Sequence, residues 1–131
     1  MFEKFISTPD QPQKHLNSAA RDYQIANNDN PEICFQFCYN CLIKLALAVC
    51  AKHELRVKSR PGHHVALIEK MSELMQDSEI EIIASDMRAK RNMDLYGGGT
   101  IISRKEAQMY LKFTASLLDR VTRQIGAARL F

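Results

Sequence analysis

Apolar residues along this chain recur in steps of three and four, and alternation with a period of two is nearly absent. That pattern predicts helices, and the punctuation between apolar stretches separates them. Asp10 and Pro12 open a first helix carrying "KHLNSAARDYQIA". "NNDNPE" then supplies Asn30 as N-cap and Pro31 at the first helical position, the favoured arrangement. In the second helix Cys34, Cys38, Cys41, Leu42, Leu45, Ala46 and Val49 form one face, and Phe35, Phe37, Tyr39 and Ile43 fill most of the rest. Only Gln36, Asn40 and Lys44 leave a polar stripe, so this helix is expected to be buried on several sides and central to the fold.

Pro61 and Gly62 interrupt the pattern, and a third helix follows with Val65, Leu67, Ile68, Met71, Leu74 and Met75. "SEIE" at 78–81 matches a capping box from Ser78 to Glu81, opening a fourth helix with Ile80, Ile83 and Met87 inward. A second box, "SRKE" at 103–106, opens a fifth whose stripe is Ala107, Tyr110, Phe113, Leu117, Val121 and Ile125. "TII" could extend briefly, yet a lone short strand has nothing to pair with. The expectation is an all-α antiparallel bundle of about five helices with short connections, in a single domain over residues 1–131.

Composition adds limits rather than direction. Hydrophobic residues at 46% and charged residues at 25% describe a soluble globular chain. A net charge of +3 permits a polyanionic partner without requiring one. "MFEKFISTPD" has no apolar core segment, and "CLIKLALAVCA" is broken by Lys44 and short for a bilayer. A cytoplasmic protein without a membrane partner is therefore expected. All four cysteines fall between Cys34 and Cys50, where a disulfide framework would spread them, so reduced thiols are expected.

Three constellations invite chemistry and each has a plainer reading. "CFQFCYNC" has the C-x3-C-x2-C spacing of radical-SAM iron–sulfur enzymes, but such a cluster needs thiolates converging from a loop, and these lie inside a helical period. Core packing accounts for them better, and neither a metal nor a cofactor is expected. His63 and His64 sit about 100° apart on a helix, which disfavours a shared metal; capping or packing by one ring with exposure of the other is the plainer reading. Lys52, Arg56, Lys58 and Arg60 form a basic run that suits a solvated helix C-terminus, or part of a surface for nucleic-acid backbone.

"KRNMDLYGGG" at 90–99 is more informative. The glycines lack the Gly-Lys-Ser/Thr and the preceding strand of a phosphate loop, so they are expected to end the fourth helix. Ile80, Ile83, Met87 and Arg91 step by three, four and four, which puts Arg91 on the inward stripe. A guanidinium there cannot discard its charge and needs a partner. Asp86 or Asp94 could pair with it internally, or a cleft could offer it a phosphate. Asn92 and Tyr96 are four apart and share a neighbouring face.

The order of helices, "GHHVALIEKM" at the third and above all "RNMDLY" in the fourth resemble the HEPN family of small helical-bundle proteins, over roughly Lys14 to Arg123. Members commonly carry R-N-x-x-x-H and act as metal-independent endoribonucleases, many as toxins of toxin–antitoxin or defence systems, usually as homodimers. Others are non-catalytic and serve nucleotidyltransferase partners. The resemblance implies Arg91, Asn92 and Tyr96 as the catalytic set, with Arg88, Lys90 and His64 binding substrate. Tyr96 stands where the family has histidine. A phenol with a pKa near 10 is only about 0.1% ionised at neutral pH, so it suits proton transfer poorly. Two functions are thus implied: an RNA-interacting protein, with or without ribonuclease or toxin activity, and an inactive module that binds an antitoxin, a nucleotidyltransferase or a nucleotide.

Overall fold

The structure, a computed structural model, describes residues 2–4, 8, 10–58, 62–96 and 102–129, leaving out the side chains of 94–96 and 127–129. In chain order the elements are β1 (Phe2–Lys4), α1 (Gln11–Ala26), α2 (Pro31–Lys52), β2 (Leu55–Val57), α3 (His63–Met75), α4 (Ser78–Tyr96) and α5 (Arg104–Arg129). It is an all-α bundle with a very small two-stranded sheet, 82% of the described residues being helical.

The axis of the bundle is α2, which packs against α1, α3, α4, α5 and β2. Its start is set locally, since the Asn30 side chain accepts hydrogen bonds from the Glu32 and Ile33 backbone N–H groups at 2.9 and 3.3 Å. The cysteines belong to the core: all four are free and at most 2% exposed. Burial pushes the thiols of Cys38 and Cys41 up to about 12 and that of Cys50 to about 11, which keeps them protonated and inert.

The polar stripe of α2 is accommodated rather than exposed. Gln36 donates to Asn40 at 3.0 Å, and the Lys44 ammonium lies 2.5 Å from the carboxylate of Asp22, a buried residue of α1. That pair also explains how α2 can be a core helix. At 22 residues it is long and apolar enough by length and composition to cross a bilayer, against the expectation drawn from the apolar run alone. In this fold 61% of its most apolar window is buried against the other helices.

Some local readings move. The cap of α4 is Asp77, one residue before the expected Ser78: its carboxylate accepts from the Glu79 N–H at 3.0 Å and also pairs with Arg120 of α5 at 2.8 Å. The cross-helix pairing favours the carboxylate over a serine hydroxyl for this role. The box at α5 forms as expected, with Glu106 N–H donating to Ser103 Oγ at 3.0 Å and Ser103 N–H to Glu106 Oε1 at 3.2 Å. On α5 the buried member of the stripe is Thr114 rather than Phe113, because its hydroxyl donates to the Tyr110 carbonyl at 2.7 Å and so enters the core satisfied.

The basic run is not a helix end. Among its described members only Lys52 closes α2, donating to the Gln124 carbonyl at 2.9 Å, while Arg56 sits in β2 and pairs with Glu3 of β1 at 2.5 Å; Arg60 lies outside the described residues. The antiparallel register sets Phe2 opposite Val57, Glu3 opposite Arg56 and Lys4 opposite Leu55.

Candidate functional site

One place in the bundle gathers chemistry from three helices. The inward stripe of α4 runs through Ile80, Ala84 and Met87, at most 1% exposed, and the next position on it is Arg91. The guanidinium carbon of Arg91 lies 5.2 Å from the centroid of the Tyr39 ring, a cation–π contact with α2. Its Nε is buried, and no described residue accepts a hydrogen bond from it. Asp86, one candidate for an internal partner, turns away to Lys90 and Tyr110. Asp94, the other, has its side chain outside the described residues.

Tyr39 connects this cation to α3. Its hydroxyl is 3.1 Å from Nδ1 of His64, and the two rings pack at 5.8 Å between centroids. The ring of His63 stands edge-on to that of His64 at 4.6 Å. Gly62 places the pair there: as the N-cap of α3 with φ +81 it takes the left-handed conformation that glycine tolerates, so the helix begins at His63. Both histidines are half-buried, so neither takes the fully exposed role of the plainer expectation.

The electrostatics of the cluster are one-sided. Burial, then His63, Arg91 and Arg88, hold the His64 imidazole below the usual histidine range, so it is neutral at pH 7. Burial raises the Tyr39 phenol, outweighing the pull of Arg91 and Arg88, so its proton is retained. Arg88, nearly one turn before Arg91, thus acts on both groups. The site offers two guanidinium groups, a neutral imidazole and a phenol. Among the groups acting on His64, none is a carboxylate. Such a set is chemically suited to an anion, and the planar donors of arginine suit phosphate in particular.

The six residues predicted from the sequence separate. Arg91, Arg88 and His64 come together around Tyr39. Asn92 follows Arg91 on α4 and is half-buried. Tyr96 is the last residue of α4, with its side chain outside the described residues, as are the glycines expected to end that helix. Lys90 belongs elsewhere. It faces α5, 2.6 Å from Glu106 and 3.3 Å from Asp86, and it donates to the hydroxyl of Tyr110, which in turn donates to Asp86. Burial disfavours the Lys90 charge, yet Glu106, Tyr110 and Asp86 together raise its pKa well above the ordinary lysine value. Lys90 also borders a cavity of about 260 Å³ alongside Phe35, Gln36 and Phe37.

The residue that sequence reasoning missed is Tyr39. The apolar pattern places it on the filled circumference of α2, and its hydroxyl is the available signal: a buried phenol requires a polar partner. The partner is 25 positions away and only folding brings it near. Among the described residues no group of three or more metal-ligating side chains converges. No family model, no curated protein and no solved structure matches this chain.

Proposed function

We propose that this chain is a HEPN-like RNA-interacting protein that holds a backbone phosphate at the Arg88–Arg91 pair, beside His64 and over Tyr39. The observation that carries the reading is Arg91. A guanidinium on an interior stripe is expensive to leave unanswered, and here its Nε is buried with no described residue accepting from it. The R-N-x-x-x-Y arrangement at 91–96 supports the same position, because Arg91 and Asn92 match the first two positions of the family motif. Phosphate meets the electrostatic demand, and RNA supplies it in the form the family resemblance implies. As part of this proposal the protein works as a cytoplasmic homodimer, pairing two such sites.

Binding of a labelled single-stranded RNA, followed by fluorescence anisotropy at low and at physiological salt, tests it. Wild type is expected to bind with an affinity that falls as salt rises. Arg91→Ala is expected to lose about tenfold or more, as for a charge-assisted contact of roughly 1.5–3 kcal/mol. Binding equal to wild type in Arg91→Ala would overturn the reading. The second reading, an inactive module serving a protein partner, is favoured by Tyr96 at the position of the family histidine. It predicts RNA binding no tighter than that of an unrelated basic protein and a nucleotidyltransferase or antitoxin recovered with the tagged chain.

A further inference from the structure

The hydrogen bond between Tyr39 and His64 has a direction, and that direction decides what the site can do. Tyr39 is 1% exposed, and His64 Nδ1 is the hydrogen-bond partner of its hydroxyl among the described residues. If Nδ1 carried the proton and donated to the hydroxyl oxygen, the buried O–H would have no acceptor. Leaving a buried donor unsatisfied disfavours that arrangement by roughly a factor of ten or more. The satisfied arrangement has the Tyr39 O–H donating to Nδ1, which places the imidazole proton on Nε2.

We infer that His64 is a neutral hydrogen-bond donor in this site, locked by Tyr39 in its Nε2–H tautomer, so that the site holds a phosphate without a base to cleave the chain it belongs to. This inference rests on the proposed phosphate site and specifies its chemistry. A base for RNA cleavage must take the proton from a 2′-hydroxyl, and Nε2 already bears one while Nδ1 is occupied by Tyr39. The neighbours reinforce the neutral state. Arg88 and Arg91 from α4 and His63 from α3 all disfavour a positive imidazole, and no carboxylate among the described residues opposes them. The first turn of α3 contributes its positive end to the same effect. Three donor groups then surround one anion: two charged guanidinium groups and one neutral N–H. The arrangement is a receptor for the phosphodiester.

The tautomer is measurable without any ligand. Long-range proton–nitrogen correlation spectra of the histidine-labelled full chain at pH 7, with His64 assigned by its loss in His64→Gln, are expected to show a protonated Nε2 and an unprotonated Nδ1. In Tyr39→Phe the lock is removed and both tautomers are expected in exchange. A dominant Nδ1–H form in wild type would overturn the inference even if RNA binds, and the spectra still decide it if RNA binding fails. In RNA binding, His64→Gln keeps an N–H donor and is expected within about threefold of wild type, whereas His64→Leu is expected to lose about fivefold to tenfold. Equal binding by His64→Leu would overturn the donor role. Incubation of the same RNA with wild type in chelator is expected to leave no 2′,3′-cyclic phosphate ends that depend on His64. Cleavage by wild type that is abolished in His64→Gln would identify His64 as the base and refute the inference.

Discussion

Lys90 and Arg91 are neighbours on one helix and live by opposite rules. Lys90 turns toward α5 and meets Glu106, Asp86 and the Tyr110 hydroxyl, a closed set in which every charge has an answer. Arg91 turns toward α2 and meets the Tyr39 ring, close enough to act on the His64 imidazole through its charge, with its Nε unanswered by any described residue. A rotation of about 100° along α4 separates a staple from the proposed anion site. Sequence proximity and shared charge say nothing about which is which. What distinguishes them is the chemistry of the facing helix: carboxylates complete a structure, while donors and aromatic faces leave a cation available to a ligand.

The sharpest way to break the comparison is to remove each cation separately. Arg91→Ala is expected to cost RNA affinity by about tenfold or more with little change in unfolding midpoint, since it removes a charge whose buried Nε no described residue answers. Lys90→Met is expected to do the reverse. It strands Asp86 and Glu106 and is expected to lower stability by about 1–2 kcal/mol, discounted because the carboxylate side chains are 53% and 35% exposed, with RNA binding near wild type. Urea unfolding and anisotropy on both variants would check this. If Lys90→Met lost RNA affinity as strongly as Arg91→Ala, the two residues would belong to one surface and the distinction would be wrong.

The sequence carried one half of that distinction. Arg91 was legible because its position follows from a period of 3.6 residues, a property of α4 alone. The caps at Asn30 and Ser103 were legible for the same reason, their partners lying two or three residues away. Tyr39 and Asp22 were not, because each gains its meaning from another helix, and His64 was named without the partner that fixes its role. The strands were missed on similar grounds: three residues show no period, and Glu3 pairs with Arg56 across 53 positions. Shifts at the Asp77 cap and at Thr114 came from competition, where a second contact made a neighbouring residue the better choice.

A smaller change sharpens the staple itself. Tyr110→Phe keeps a ring that is fully buried and packs on Phe35 at 5.5 Å, and deletes only the hydroxyl between Lys90 and Asp86. The expected loss is about 1 kcal/mol, the usual value of such a hydrogen bond, leaving RNA affinity unaltered. A loss above about 3 kcal/mol by chemical denaturation would mean that the network acts as a cooperative unit rather than as separate bonds.

Acid separates the two regions by the pH at which each responds. In the folded state the hydrogen bond from Lys90, then those from Ser103, hold the Glu106 carboxyl below its ordinary value. A lowered folded-state pKa means the unfolded chain binds the proton more readily. The stabilisation is therefore complete above the unfolded value of about 4.3 and disappears as pH falls through the folded one. His64 is also lowered, chiefly by burial, so its contribution has the same sign but a higher window. It is complete above about 6.5 and is lost as pH falls below that toward the folded value. Wild type is thus expected to lose stability in two steps between pH 7 and pH 3. Burial also holds His15 below its ordinary value, and Glu3, Asp10 and Asp77 are lowered by their own hydrogen bonds. His64→Gln is therefore expected to shrink the first step and Glu106→Gln the second, neither abolishing it. Denaturation midpoints at half-unit pH intervals would show this, and a first step undiminished in His64→Gln would assign it to His15 alone.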